Sequence, residues 1–127
     1  KALGPDHVKT ADAYFGMANV LKDQAKLEEA MSLYQKALDI RLKALGPDHV
    51  KTADAYFGMA NVLRDQGKLE EAMSLYQKAL DIRLKALGPD HVKTADAYFG
   101  MANVLNDQGK LEEAMGLYQK VLGIRLK

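Results

Sequence analysis

Three histidines, His7, His49 and His91, recur at intervals of 42 residues, and an imidazole is the side chain most often found holding a metal or moving a proton. Copies stacked as helices stand about 10 Å apart, whereas ligands to one zinc ion all lie within about 2 Å of it. The three cannot share a metal, and each reads as a first-turn surface residue. Glu70 and Glu71 occupy successive positions and point in different directions, so they do not form the facing carboxylate pair of a hydrolase. The "GK" of "DQGKLEE" lacks the preceding glycine and spacing of a phosphate-binding loop. These residues predict no enzyme, cofactor or metal.

The elements that position these residues are spelled out by repetition. "KALGPDHVKTADAYFGMANVL" fills 1–21 and returns unchanged at 43–63 and 85–105. A single globular core offers its parts different surroundings; copies that stack on one another meet the same neighbour each time and can use the same side chains. We divide the chain into units 1–42, 43–84 and 85–126. Lys127 begins a further copy and the chain opens in mid-pattern, which predicts a piece of a longer array.

In the middle unit Tyr56, Met59, Ala60 and Leu63 recur at i, i+3, i+4, i+7, one stripe of an amphipathic helix over 48–65. Asp48 is the expected N-cap, and Gly67 the expected left-handed residue after the helix. A second helix over 69–87 carries Ala72, Leu75, Tyr76, Ala79 and Leu80 on its apolar stripe. Glu70 and Glu71 in its first turn, and Arg83 and Lys85 near its end, suit the helix dipole. Gly88 and Pro89 stop it. A two-helix hairpin cannot bury both stripes by itself, whereas a stack of hairpins can. The predicted fold is all-α: an α-solenoid, a right-handed superhelix of three near-identical helix-turn-helix repeats.

Composition and charge exclude several classes. Eighteen basic residues against seventeen acidic ones leave a net charge of +1, without the basic field of a nucleic-acid binder or the cationic face of a membrane-surface helix. No apolar run reaches the roughly 20 residues of a membrane span. The absence of cysteine excludes disulfides and fits a reducing, cytoplasmic setting.

"GKLEEAMSLYQKAL" resembles the tetratricopeptide repeat (TPR), whose helix-pair pattern maps onto Tyr56, Met59-Ala60, Leu63, Gly67, Ala72, Tyr76 and Ala79, with tyrosine for the usual tryptophan and leucine for the usual tyrosine. The repeat-closing proline is absent, Leu84 standing there, and the period of 42 exceeds the usual 34. The long period and the "LGPDH" link are similar to kinesin light chain TPRs and to the repeat tails of NLR/STAND signalling proteins; near-identical copies suit the second group better. The resemblance implies a concave groove lined by the first helix of each pair, receiving a peptide or protein partner. Its lining would be the second stripe of that helix: Asp12, Phe15, Asn19 and Lys22, then Asp54, Phe57, Asn61 and Arg64, then Asp96, Phe99, Asn103 and Asn106. Asparagine at Asn61 would bond the ligand backbone, Phe57 would anchor apolar groups, and alternating Asp and Lys/Arg would tune selectivity. The competing readings are that Phe57 is core between units and Asn61 a solvated polar residue.

The copies differ at five places: Lys22, Arg64 and Asn106; Ala25, Gly67 and Gly109; Ser32, Ser74 and Gly116; Ala37, Ala79 and Val121; Asp39, Asp81 and Gly123. Single base changes account for each, as drift after duplication would, more simply than an engineered scaffold does. Ala25 is expected to strain the first turn, and Gly116 and Gly123 to weaken the last helix. Gly16, Gly58 and Gly100, in mid-helix, are expected where helices approach closely. The alternative to groove binding is a structural array stacking end to end through the apolar faces of its first and last helices.

Overall fold

The computed structural model describes residues 5–127, with side chains from His7 onward. Six helices follow one another, and no strand occurs among the described residues: α1 (Pro5–Asp23), α2 (Leu27–Leu45), α3 (Val50–Asp65), α4 (Leu69–Leu87), α5 (Val92–Asp107) and α6 (Leu111–Arg125). Each helix packs on its neighbours in the chain, and α1 and α5 also touch α3. This is an all-α repeat solenoid.

The turns follow from local chemistry. Gly67 and Gly109 adopt φ 79°, and Lys68 N–H and Lys110 N–H reach back to Leu63 and Leu105 carbonyls at 2.8 and 2.9 Å, closing the helix end with a left-handed residue. Ala25 is forced into the same conformation at φ 62°, as expected. The second helices of the first two pairs end at Gly46 and Gly88, with φ 93° and 90°. The buried hydroxyls of Thr52 and Thr94 donate to the carbonyls of Gly46 and Gly88 at 2.8 Å, tying the loop to the next helix.

The expected Asp48 cap is corrected by one residue. His49 and His91 are the N-caps: their backbone is extended, and each Nδ1 accepts from the N–H two residues on, at 3.0 Å. Asp48 instead lies in the turn beside Lys85 at 3.5 Å, and Asp90 beside Lys127 at 2.7 Å.

The core is layered between pairs. Tyr76 and Leu80 of α4 sit with Ala60 and Leu63 of α3 and with Ala97, Met101 and Val104 of α5. The expected close approaches occur at Gly58 and Gly100, where a Cβ would come within 2.6 Å of the Tyr34 ring and 2.5 Å of the Tyr76 ring. Gly16 departs from that expectation: among the described residues nothing lies within 4 Å of a Cβ there, since no described helix packs on that face of α1. The same end effect leaves Met17 55% exposed where Met59 is 8%, and Leu122 55% where Leu80 is 4%. No described helix is long and apolar enough to cross a membrane.

Candidate ligand-binding groove

The odd-numbered helices bring ten of the twelve predicted residues to one trough. A cavity of about 390 Å³ is lined by Phe15, Asn19, Lys22, Asp54, Phe57 and Asn61, with Arg83 and Lys93 beside them. A second, of about 340 Å³, is lined by Lys22, Phe57, Asn61, Arg64, Asp96, Phe99 and Asn103. Lys22, Phe57 and Asn61 line both, so the two cavities lie side by side along the trough. Asp12 and Asn106 line neither.

The asparagines are held in a defined orientation. Oδ1 of Asn19, Asn61 and Asn103 accepts a short hydrogen bond from the hydroxyl of Tyr34, Tyr76 and Tyr118, fifteen residues on in the same hairpin. Burial pushes the Tyr34 phenol up to about 12, helped by the charge of Asp23. Burial likewise pushes Tyr76 up to about 12, the lowering effect of Arg64 being offset by Asp65 and Asp107. Both phenols therefore stay protonated and donate, which fixes the amide's orientation. The amide keeps its NH₂, a donor of two hydrogen bonds, and the second lone pair of its oxygen.

The phenylalanines pack against their own hairpin and also face the trough. Phe15, Phe57 and Phe99 meet Tyr34, Tyr76 and Tyr118 edge to face at 5.6–5.7 Å, while Phe57 also lines both cavities. The far face of Phe15 and Phe57 is covered by a guanidinium, Arg41 at 4.6 Å and Arg83 at 4.5 Å.

Those arginines are the residues that sequence reasoning missed. Arg41 and Arg83 are 3% exposed. Arg83 Nη1 donates to the Lys93 carbonyl at 3.0 Å and Nη2 to Asp54 at 3.1 Å, while Lys93 Nζ closes on Asp54 at 3.2 Å. Arg41, Asp12 and Lys51 repeat the arrangement one unit earlier. Burial raises the pKa of Asp12, but hydrogen bonds from Arg41 and Lys51 outweigh it and hold the carboxyl below its ordinary value. Nε of each arginine is buried with no hydrogen-bond partner, so the phenylalanine ring supplies part of the compensation. The aspartates expected to tune selectivity are thus engaged in clamping one unit to the next. The signal was present in the periodicity: Arg83 follows Tyr76 and Leu80 at i+7 and i+3, on the apolar stripe.

The variable position behaves differently in each copy. Arg64 Nε donates to Asp107 of the next unit at 3.0 Å. Lys22 lines both cavities and makes no ion pair among the described residues, and Asn106 is exposed and neutral. Among the described residues no group of three His, Asp or Glu side chains could hold a metal ion.

Hairpins stacked in one direction, with a polar and aromatic trough along their first helices, define a helical-repeat solenoid. The particular family is given by sequence: the tetratricopeptide repeat profile matches 1–43, 10–85 and 51–127, and the chain belongs to that family. Such repeats generally mediate protein–protein interaction or scaffolding. Among solved structures, BtubC (BKLC) from P. vanneervenii superposes with a TM-score of 0.89 at 20% identity, over 99% of this chain and 49% of that one. A Podosopora anserina protein described as a kinesin light chain with nearly identical TPR-like repeats gives 0.83 at 21%, over 94% and 57%. Aspartyl phosphate phosphatase F from Bacillus subtilis gives 0.86 at 16%, over 95% and 31%. At these identities the likeness is one of fold, and the chain spans between about a third and three-fifths of each.

Proposed function

We propose that the chain is a non-catalytic, cytoplasmic binding module of three units, 1–42, 43–84 and 85–126, that takes an extended peptide segment of a protein partner in the trough along α1, α3 and α5. The observation that supports this reading is the asparagine ladder: three amides, each with its oxygen held by a tyrosine hydroxyl and its NH₂ uncommitted among the described residues; the tyrosines of the first two, Tyr34 and Tyr76, are buried. Units about 10 Å apart match about three residues of extended chain at about 3.3 Å each, so one backbone carbonyl in three would be met. Phe15, Phe57 and Phe99 would take apolar side chains between them, and Lys22, Arg64 and Asn106 would vary the charge along the ligand.

The test uses peptides selected on this chain from a random displayed library. Replacing Asn19, Asn61 and Asn103 together by Asp keeps the acceptor for each tyrosine and removes the donors. Affinity for the selected peptides should fall at least tenfold, about 1.4 kcal/mol, with the fold unchanged by circular dichroism. Undiminished affinity would place the site elsewhere.

A second reading, a scaffold that stacks on copies of itself, is favoured by a separate observation: the outward face of α6 is uncovered, with Leu111, Met115 and Leu122 all more than half exposed.

A further inference from the structure

Within the chain, α2 is covered by α3 and α4 by α5 in the same way. The outward face of α6 keeps the residues that α4 presents to α5: Tyr118 and Leu122 stand where Tyr76 and Leu80 stand, and Arg125 where Arg83 stands. The substitutions Gly116 and Gly123 fall at the places of Ser74 and Asp81, which are exposed and off that face. At the other end of the molecule, residues 8–21 of α1 are identical to 50–63 of α3 and 92–105 of α5. Their Met17 and Val20 are 55% and 56% exposed, where Val62 and Val104 are fully buried. Both halves of an interface that the molecule already makes twice are therefore uncovered.

Resting on the self-stacking reading, we infer that a second copy of this chain seats its α1 on α6 in the register of the internal joints, with Gly16 as the socket for the Tyr118 ring. The space above Gly16 is open, whereas the equivalent space at Gly58 and Gly100 is filled by Tyr34 and Tyr76. Charge is complementary as well. Arg125 is held by Asp96 at 2.7 Å through Nη2 alone, which leaves Nη1 for the Lys9 carbonyl of the second copy, as Arg83 Nη1 takes that of Lys93. The Lys9 ammonium of that copy then reaches Asp96 as Lys93 reaches Asp54. One adjustment is required. α1 begins at Pro5, whereas α3 and α5 begin at Val50 and Val92, so its first turn must open as the internal loops do. The contact is head to tail and leaves a free face at either end, so it propagates as a linear series.

Sedimentation of the 127-residue chain over a wide concentration range should show a weight-average mass rising above 14.0 kDa without a plateau at the dimer. Gly16→Ala, which meets no atom in the monomer, should hold the mass at the monomer with helicity and melting temperature kept. Leu122→Glu should do the same from the other end. A mixture of the two variants retains one good face of each kind and should give a heterodimer and nothing larger. A strict monomer for the parent chain up to millimolar concentration would overturn both this assignment and the self-stacking reading. Association undiminished in either variant would overturn the α1–α6 register while leaving self-association through another surface.

Discussion

The Tyr76 ring of α4 lies directly against the α-carbon of Gly100 in α5, so close that a methyl group there would come within 2.5 Å of its Cε1. The same ring donates its hydroxyl to Asn61 and receives the edge contact of Phe57. One side chain thus sets the distance between units, the direction of the groove amide and the tilt of the groove phenyl.

The glycines therefore divide by position rather than by sequence. Gly58→Ala and Gly100→Ala should each lower unfolding free energy by about 1–3 kcal/mol, the usual effect of overpacking. Gly16→Ala should leave it unchanged or raise it by up to about 1 kcal/mol, since alanine is the better helix former. Urea titration of the three variants measures the difference; equal losses at all three would contradict the packing account.

The clamp aspartates should show a gradient. Asp54→Ala leaves the 3%-exposed Arg83 guanidinium with less compensation, for which about 3–5 kcal/mol is the expected loss. Asp96→Ala acts on a pair whose Arg125 side chain is 48% exposed, and about 1 kcal/mol or less should be lost. Comparable losses in thermal denaturation would show that burial does not govern these pairs.

Alkaline and acid stability have separate origins. The raised pKa of Tyr34 and Tyr76 means that the fold favours the neutral phenol. Their contribution is intact below pH 10, the ordinary value, and is lost as pH climbs toward about 12. Spectrophotometric titration should show these two ionising toward about pH 12, together with loss of helicity. The depressed Asp12 works in the other direction: its contribution is present above its ordinary value of 3.8 and disappears as pH falls below it. Asn in place of Asp12 should flatten that acid limb.

The first turn carries removable strain. Ala25→Gly restores the residue that Gly67 and Gly109 provide at φ 79° and should stabilise α1–α2 by about 1 kcal/mol. Slower amide exchange in that hairpin, relative to α3–α4 as internal reference, is the readout. An unchanged ratio would remove the strain argument.

Much of this architecture can be read from the letters. Gly67 and Gly88 mark the turns, and the stripes through Tyr56 and Tyr76 are apolar at helical spacing. Identical copies announce identical surroundings. Residue type stops being informative where neighbours compete or where the partner is main chain. Asp48 and His49 are adjacent and both able to cap; the extended backbone falls on His49. Arg83 read as a dipole charge because one of its partners, the Lys93 carbonyl, leaves no trace in residue type. The direction of the Asn61 amide depends on a hydroxyl fifteen residues away. Gly16 and Gly58 share their flanking letters and differ only in what precedes them in space.

Arg41 and Arg83 each cross to the following unit by holding a main-chain oxygen, an atom every amino acid carries. That part of the joint is indifferent to which unit comes next. Genes that gain, lose or shuffle whole 42-residue blocks would keep encoding chains whose seams close, so length can change between generations while the geometry of each seam is inherited intact.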